Sequence, residues 1–309
     1  MADLSTTYMG MSMSSPVVVA ACPLSGKVDN VRRAEDAGAG GLVIKSLFEE
    51  QIRHEMQELD DALEIANSFA EPLTYLPRIE HGGTRRHVLW VEKTRRAVSM
   101  PLIASINAVS AGNWVDYTRR LADTGVDGIE LNMYAVETDP AREAAEIEGS
   151  MLETLDAVKT ATQLPIAVKL SPFYTSVASV VQKLVDHGAA AAVLFNRFLQ
   201  PEIDPDTESV KVDRSLSQPS EQHLPLRWIA LLYGRVDMDL AANTGIHDAK
   251  DVARSLLAGA SVTQLASALL SHGIDHVTQL NTELAAWMDS LVRHPTNMFF
   301  RVTAFLHSI

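Results

Sequence analysis

The chain has 309 residues, 47% hydrophobic and 21% charged, values of a globular protein able to bury one sizeable core. Its formal net charge of −13 argues against general attraction to nucleic acid or anionic membranes, so an anionic ligand requires a local cluster of positive charge. A single cysteine, Cys22, excludes an intrachain disulfide and most cysteine-based metal sites and fits a reducing cytoplasm.

No stretch approaches the ~20 apolar residues of a membrane span. The opening Met1-Ala2-Asp3-Leu4 lacks the basic region and apolar run of a secretory signal. The expectation is a soluble, cytoplasmic protein with no nucleic-acid or membrane partner.

In chain order, Pro16–Ala21 and Gly41–Lys45 are the first two predicted strands. A long, partly helical connection over Glu49–Gly83 follows, and Pro101–Asn107 is the third strand. Ser110 caps a helix that presents Trp114, Tyr117 and Leu121 on one face and stops at Gly125. Gly128–Met133 is the fourth strand. Asp139-Pro140 then sets an acid and a proline at a helix start, with the pattern running to about Thr162.

Pro165–Leu170 is the fifth strand. Thr175 or Ser176 opens a helix with Val177, Val180, Val181 and Leu184 at core spacing. Ala191–Asn196 is the sixth strand, followed by a second long connection, Arg197–Gln222, with Pro201, Pro205 and Pro219. Met238–Asn243 is the seventh. Asp248 begins a helix with Val252, Leu256 and Leu257 that ends at Gly259, and Ser261–Ala266 is the eighth strand. The tail, Leu270–Ile309, is helical by pattern and divided by Pro295.

Short Val/Ile/Leu runs without polar alternation are what strands of a buried parallel sheet look like. Eight of them alternating with helices predict one (β/α)8 TIM barrel over residues 1–309, with long loops after strands 2 and 6. Right-handed crossovers place every strand's carboxyl end on one rim. To that rim the strands deliver Lys45, Asn107, Asn132, Lys169, Asn196 and Asn243. Singly, a strand-end asparagine satisfies nearby backbone and a lysine reaches for water. Together, on an acidic protein, they point to a ligand.

The last two βα units add a second signal. Ala242-Asn243-Thr244-Gly245-Ile246 and Gln264-Leu265-Ala266-Ser267-Ala268 are small-residue turns entering helices. Barrels bind phosphate there, because bare backbone N–H groups meet the anion. The ten histidines are read as offering no metal-ligand spacing, and no metal is expected. Cys22 is read as a small buried residue, and Arg85-Arg86 and Arg119-Arg120 as solvated helix faces.

The chain resembles the soluble class 1 dihydroorotate dehydrogenases, FMN barrels that oxidise dihydroorotate to orotate. The resemblance is carried by Ile44-Lys45-Ser46, Gly128-Ile129-Glu130-Leu131-Asn132, Ala167-Val168-Lys169-Leu170-Ser171-Pro172, the insertion Ile203-Asp204-Pro205-Asp206-Thr207-Glu208-Ser209-Val210, and Thr244-Gly245-Ile246 with Leu265-Ala266-Ser267-Ala268-Leu269. It implies FMN as cofactor, held by Ala21, Lys45, Ser46, Asn132, Lys169, Thr244, Gly245, Ala266 and Ser267. It implies a small, anionic substrate bordered by Lys45, Asn132 and Asn196, and a homodimer.

The departures concentrate on the substrate side. The family's proton-removing Cys or Ser falls on Ala135, and the substrate asparagine after it on Glu137. The asparagine loop after strand two is replaced near Tyr75-Leu76-Pro77-Arg78, and paired glycines are missing from Ser215–Leu224. The first glycine of the seventh-strand turn is replaced near Asn243. Losing a general base costs ~100- to 10,000-fold in rate, so dihydroorotate oxidation is expected to be poor unless Tyr134 or Glu137 substitutes, and an altered substrate is the other expectation. Three functions stay open: an FMN oxidoreductase on CH–CH groups with an altered substrate, a phosphate-binding barrel lyase or isomerase using Lys45 or Lys169 as an amine nucleophile, and a non-catalytic flavin-binding homologue.

Overall fold

A computed structural model describes residues 2–48, 82–107, 114–133, 137–197, 201–212 and 216–292. The elements are β1 (Thr6–Tyr8), β2 (Met11–Met13), β3 (Val17–Val19), α1 (Val28–Asp36), β4 (Gly41–Phe48), α2 (Gly82–Arg95), β5 (Leu102–Asn107), α3 (Trp114–Ala122), β6 (Gly128–Asn132), α4 (Ala144–Ala161), β7 (Ile166–Leu170), α5 (Val177–Asp186) and β8 (Ala191–Leu194). They continue with β9 (Pro201–Asp204), β10 (Ser209–Val212), α6 (His223–Leu232), β11 (Asp239–Asn243), α7 (Ala249–Ala258), β12 (Val262–Leu265), α8 (Ser267–His272) and α9 (His276–Val292).

Eight parallel strands close in the order β11-β12-β3-β4-β5-β6-β7-β8. All eight predicted strands are in it, so the barrel is as read from the apolar runs. The strands sort their side chains by the period-2 alternation of β structure. Val18, Val43, Ile103, Ala167, Val193, Ala241 and Val262 fill the interior, while Val17, Val19, Leu42, Ile44, Leu102, Ala104 and Ile129 pack outward with the helices. No described helix is long and apolar enough to cross a membrane.

The antiparallel hairpin β1–β2 was not expected from the sequence. It turns at Met9 and Gly10, both at positive φ, and drives Tyr8, Met9 and Met13 into the interior cluster. The Met9 amide donates to Asp239 Oδ2 at 2.7 Å, and Thr6 Oγ1 donates to the Ser261 carbonyl at 3.2 Å. Both partners precede or begin a barrel strand, so the hairpin stoppers the amino end and leaves the carboxyl rim open.

Helix punctuation is mixed. Ser176 caps α5 by accepting from the Ser179 amide, Asp248 caps α7 in a reciprocal pair with Asp251, and Gly259 closes α7 at φ 112°. The Asp139-Pro140 start is corrected: α4 begins at Ala144 with Glu143 as cap. Asp139 instead spends its carboxylate on the Ala141 amide at 2.9 Å, a local turn that competes with the helix. The polar insertion after β8 is not a plain loop either, since β9 and β10 pair as a hairpin with Ile203 opposite Val210. Ser110, most of the connection after β4 and the tail beyond Val292 lie outside the described residues.

Candidate active site

The barrel interior carries one charged layer beneath the rim. Glu130 on β6, Lys169 on β7 and Gln264 on β12 are all buried, although β6 and β12 stand on opposite walls. Gln264 Nε2 donates to Glu130 Oε2 at 2.6 Å, Lys169 Nζ donates to Gln264 Oε1 at 3.3 Å, and the ammonium lies 3.9 Å from Glu130 Oε1. A buried charge survives only when paired and hydrogen-bonded; the three residues pair with one another, and Glu130 Oε1 is left with the ammonium's charge but no hydrogen bond. Below them, burial pushes the Tyr8 hydroxyl well above the ordinary tyrosine range, with the Glu130 and Asp239 charges adding to it.

One layer up, strand register brings the polar ends together. Asn107 pairs with Asn132 and Asn132 with Lys169. Asn196 Nδ2 donates to Asn132 Oδ1 at 2.6 Å and to the Lys169 carbonyl at 3.4 Å. A cavity of about 200 Å³ opens from this layer, lined by one bonded set, Lys169, Asn196 and Gln264, by a second, Ser217, Gly245 and Ser267, and by Ala21, Thr244 and Ala266. That volume is below the ~300–1,000 Å³ of whole cofactor sites. It suits a narrow polar tail.

The second set is built of hydroxyls and small residues. Gly245 has φ 74°, and a Cβ there would stand 2.3 Å from the Gln222 nitrogen, so the close approach of the chain before α6 admits only glycine. Its amide donates to Ser217 Oγ at 3.4 Å, the Ser217 amide donates to Ser267 Oγ at 3.0 Å, and His247 Nε2 lies 3.3 Å from Ser217 Oγ. Thr244 holds φ 82°, a region β-branched residues rarely adopt. Its hydroxyl and the Asn243 side-chain amide both bind the Phe195 carbonyl, at 3.1 and 2.6 Å, which pins the turn in that conformation.

Of the site residues read from the sequence, Ala21, Lys169, Asn196, Thr244, Gly245, Ala266 and Ser267 therefore share one cavity, and Asn132 is bonded to it through Asn196. Lys45 is exposed on β4 and is not among the lining residues, and Ser46 follows it on the same strand. Asn243 is spent on backbone, the local role open to any strand-end asparagine. Tyr134 and Ala135 lie outside the described residues. Glu137 is tied down, its Oε1 accepting from the Thr138 and Asp139 amides at 2.9 and 3.0 Å and its Oε2 lying 3.2 Å from Arg142.

Sequence reading missed Ser217, Gln264 and Arg197, which also line the cavity. Arg197 donates to Glu221 Oε2 at 2.9 Å. Gln264 was visible as a polar residue interrupting an apolar strand. Cys22 is buried, and its thiol is pushed up by that burial, with the Lys169 charge opposing weakly. That is the opposite of an activated nucleophile. His272 and His276 stand four residues apart, a spacing passed over in the sequence, with rings 4.9 Å apart. Yet His276 Nε2 meets the His247 carbonyl and Nδ1 meets Gln279. Among the described residues no group of three His, Cys, Asp or Glu side chains could hold a metal.

Comparison with known proteins gives a consistent family. Residues 79–288 match the family model described as dihydroorotate dehydrogenase. The chain is 24% identical over 297 residues to the catalytic subunit of dihydroorotate dehydrogenase B (NAD(+)) from Thermoplasma volcanium, covering 94% of each. It is 23% identical over 275 residues to a putative dihydroorotate dehydrogenase A (fumarate) from Aeropyrum pernix, covering 88% of each. Among solved structures, a dihydroorotate dehydrogenase from Eimeria tenella in complex with ferulenol superposes with TM-score 0.67 at 14% identity, over 94% of this chain and 86% of that one.

Proposed function

Because the chain belongs to the dihydroorotate dehydrogenase family, we propose that it is an FMN oxidoreductase whose cofactor tail enters the cavity beside Lys169. Family membership makes it an oxidoreductase acting on CH–CH groups. The carrying observation is the polarity of the cavity, with a paired ammonium at one end and a hydroxyl and amide cradle at the other. The donor set fits: a phosphate monoester needs several hydrogen-bond donors around an anion, and the Ser217 and Ser267 hydroxyls, with the Gly245 amide held only by a long 3.4 Å bond, offer them without bulk, while Thr244 holds the turn. Ala21 and Ala266 leave the space between the two ends free.

When bound, FMN would supply two-electron acceptance from a CH–CH bond. The protein's part is electrostatic and positional. Lys169, held by Glu130 and Gln264, would supply a fixed positive charge to offset the negative charge of the reduced group. Asn132 and Asn196, bonded to each other, would orient a small anionic substrate together with Lys45. Proton removal has no assigned residue: Ala135 has no basic atom, and Glu137 is occupied by Arg142 and its own turn, which leaves Tyr134 as the candidate. We take the substrate to be a dihydroorotate-like anion with altered detail.

Purified protein is expected to be yellow, or to take up FMN at micromolar concentration, and to bleach anaerobically with its substrate. Colourless protein that takes up no FMN removes the proposal. Two further readings have support of their own. The loss of a base at Ala135 favours a non-catalytic flavin binder, which predicts bound FMN that no dihydropyrimidine reduces. The exposed cross-strand pair Ile203 and Val210 favours a homodimer, which predicts a doubled mass by sedimentation. An amine nucleophile at Lys169 is disfavoured by its pairing with Glu130, and borohydride trapping of a Schiff base there would reverse that ranking.

A further inference from the structure

Lys45 sits where β4 slips against β5. Ile44 pairs with Ala104 but Leu47 pairs with Ile106, so Lys45 and Ser46 together face the single residue Ser105. Such a bulge re-aims a side chain and takes backbone groups out of the ladder, and those groups then need other partners. Here two side chains supply them. The Lys45 amide donates to Ser25 Oγ at 3.0 Å, and Ser25, fully buried, passes its own hydroxyl proton to the Cys22 carbonyl at 2.8 Å.

The Lys45 carbonyl faces His87 Nε2 of α2 at 3.0 Å. A carbonyl only accepts, so Nε2 carries the proton. The neutral ring then presents Nδ1 as an acceptor, and the Tyr117 hydroxyl of α3 stands 2.6 Å from it. Burial holds His87 below the ordinary histidine range; the bond to the Lys45 carbonyl opposes this and the Lys45 charge adds to it. Among the described residues, the charged or titratable groups acting on the ring are Lys45 from β4 and Tyr117 from α3, while its own helix brings the uncharged Trp90, 5.6 Å away.

We propose that His87 and Tyr117 are positioning residues for Lys45, a side-chain relay from two outer helices that fixes the bulge and so fixes where the ammonium stands on the rim. The inference rests on the reading that Lys45 serves the flavin and its substrate, and it makes residues outside the cavity matter to the site. Protonation of His87 would reverse the bond to Tyr117, whose hydroxyl can also accept, and add a like charge beside Lys45. The charge-free relay therefore exists above the His87 pKa, and the ammonium is repelled as pH falls through it.

The test is FMN titration, followed by flavin fluorescence, on wild type, His87→Gln, His87→Leu, Tyr117→Phe, Lys45→Met and the Lys45→Met/His87→Leu double variant. Glutamine donates to the Lys45 carbonyl and accepts from Tyr117 without titrating, so His87→Gln should bind as wild type does and lose the decline in affinity at acidic pH. His87→Leu should weaken binding about tenfold, the worth of one lost hydrogen bond. Lys45→Met should weaken it at least as much, and the double variant should match Lys45→Met, since the pair acts as one unit. A His87→Leu loss of the same size with Lys45 present or absent overturns the inference.

A second readout needs no cofactor. Hydrogen–deuterium exchange at residues 41–48 should speed about tenfold in His87→Leu, for the same bond lost, less in Tyr117→Phe and not in His87→Gln. Unchanged exchange in His87→Leu refutes the relay whether or not FMN binds. Absent FMN uptake in the wild type refutes only the cofactor reading.

Discussion

The two ends of the candidate site are built on different principles. The tail end, around the turns after β11 and β12, depends on backbone course: a glycine pressed against the chain before α6, a pinned threonine at positive φ, and the hydroxyls of Ser217 and Ser267 brought together. The substrate end depends on single side chains, at the bulge of β4 and at the close of β6 and β8. Where this chain departs from its family, it keeps the first kind of construction and changes the second. Even the missing glycines after the insertion leave the tail end supplied, because Ser217 donates its amide to Ser267 and lends its hydroxyl to the turn. At position 135 nothing comparable is available, since an alanine has no proton acceptor. On the proposed reading, binding and turnover are separable in this barrel, which would hold its cofactor while its reaction drifts.

The comparison is sharpened most by restoring what was lost. Ala135→Cys should raise anaerobic flavin reduction by dihydroorotate, measured by stopped-flow bleaching, by ~100-fold or more if the base is the principal defect. No gain would mean that the substrate itself has changed. At the tail end, Ala266→Leu places a branched side chain in the cavity; overfilling costs up to about 3 kcal/mol, roughly 100-fold in FMN affinity. Riboflavin, without the phosphate, should lose less.

Ser217→Ala removes one hydroxyl from the anion's cradle and should cost about tenfold in FMN affinity by equilibrium titration, again with riboflavin little affected. Equal losses for both flavins would place the phosphate elsewhere. The smallest effect is expected at Glu137→Gln. Because Arg142 and two turn amides occupy that carboxylate, the flavin reduction rate should stay within about twofold of wild type, far below what a general base is worth. A hundredfold loss would make Glu137 the base after all.

What the sequence made legible followed from repetition. Eight apolar runs with one meaning gave the barrel, and the strand ends gave Lys169, Asn196, Gly245 and Ser267 their common cavity. What it hid was long-range or very short. The hairpin Thr6–Met13 is two three-residue strands, too brief for any period to register, and it earns its place only by plugging a barrel that does not yet exist in a one-dimensional reading. The α4 start failed because Asp139 had a local use as good as a helix cap. Gln264 reaches Glu130 across the barrel, 134 residues away in sequence. Nothing in the sequence sets His87 apart, and its link to Lys45 is apparent only where β4 slips.

The most direct measurement is an absorption spectrum of the purified protein during titration with FMN, repeated for Lys169→Met. The wild type should saturate at one flavin per chain with shifted visible bands, and the variant should bind far more weakly with bands close to free FMN. A wild type whose added flavin stays spectrally free would contradict the account, whatever the barrel's shape.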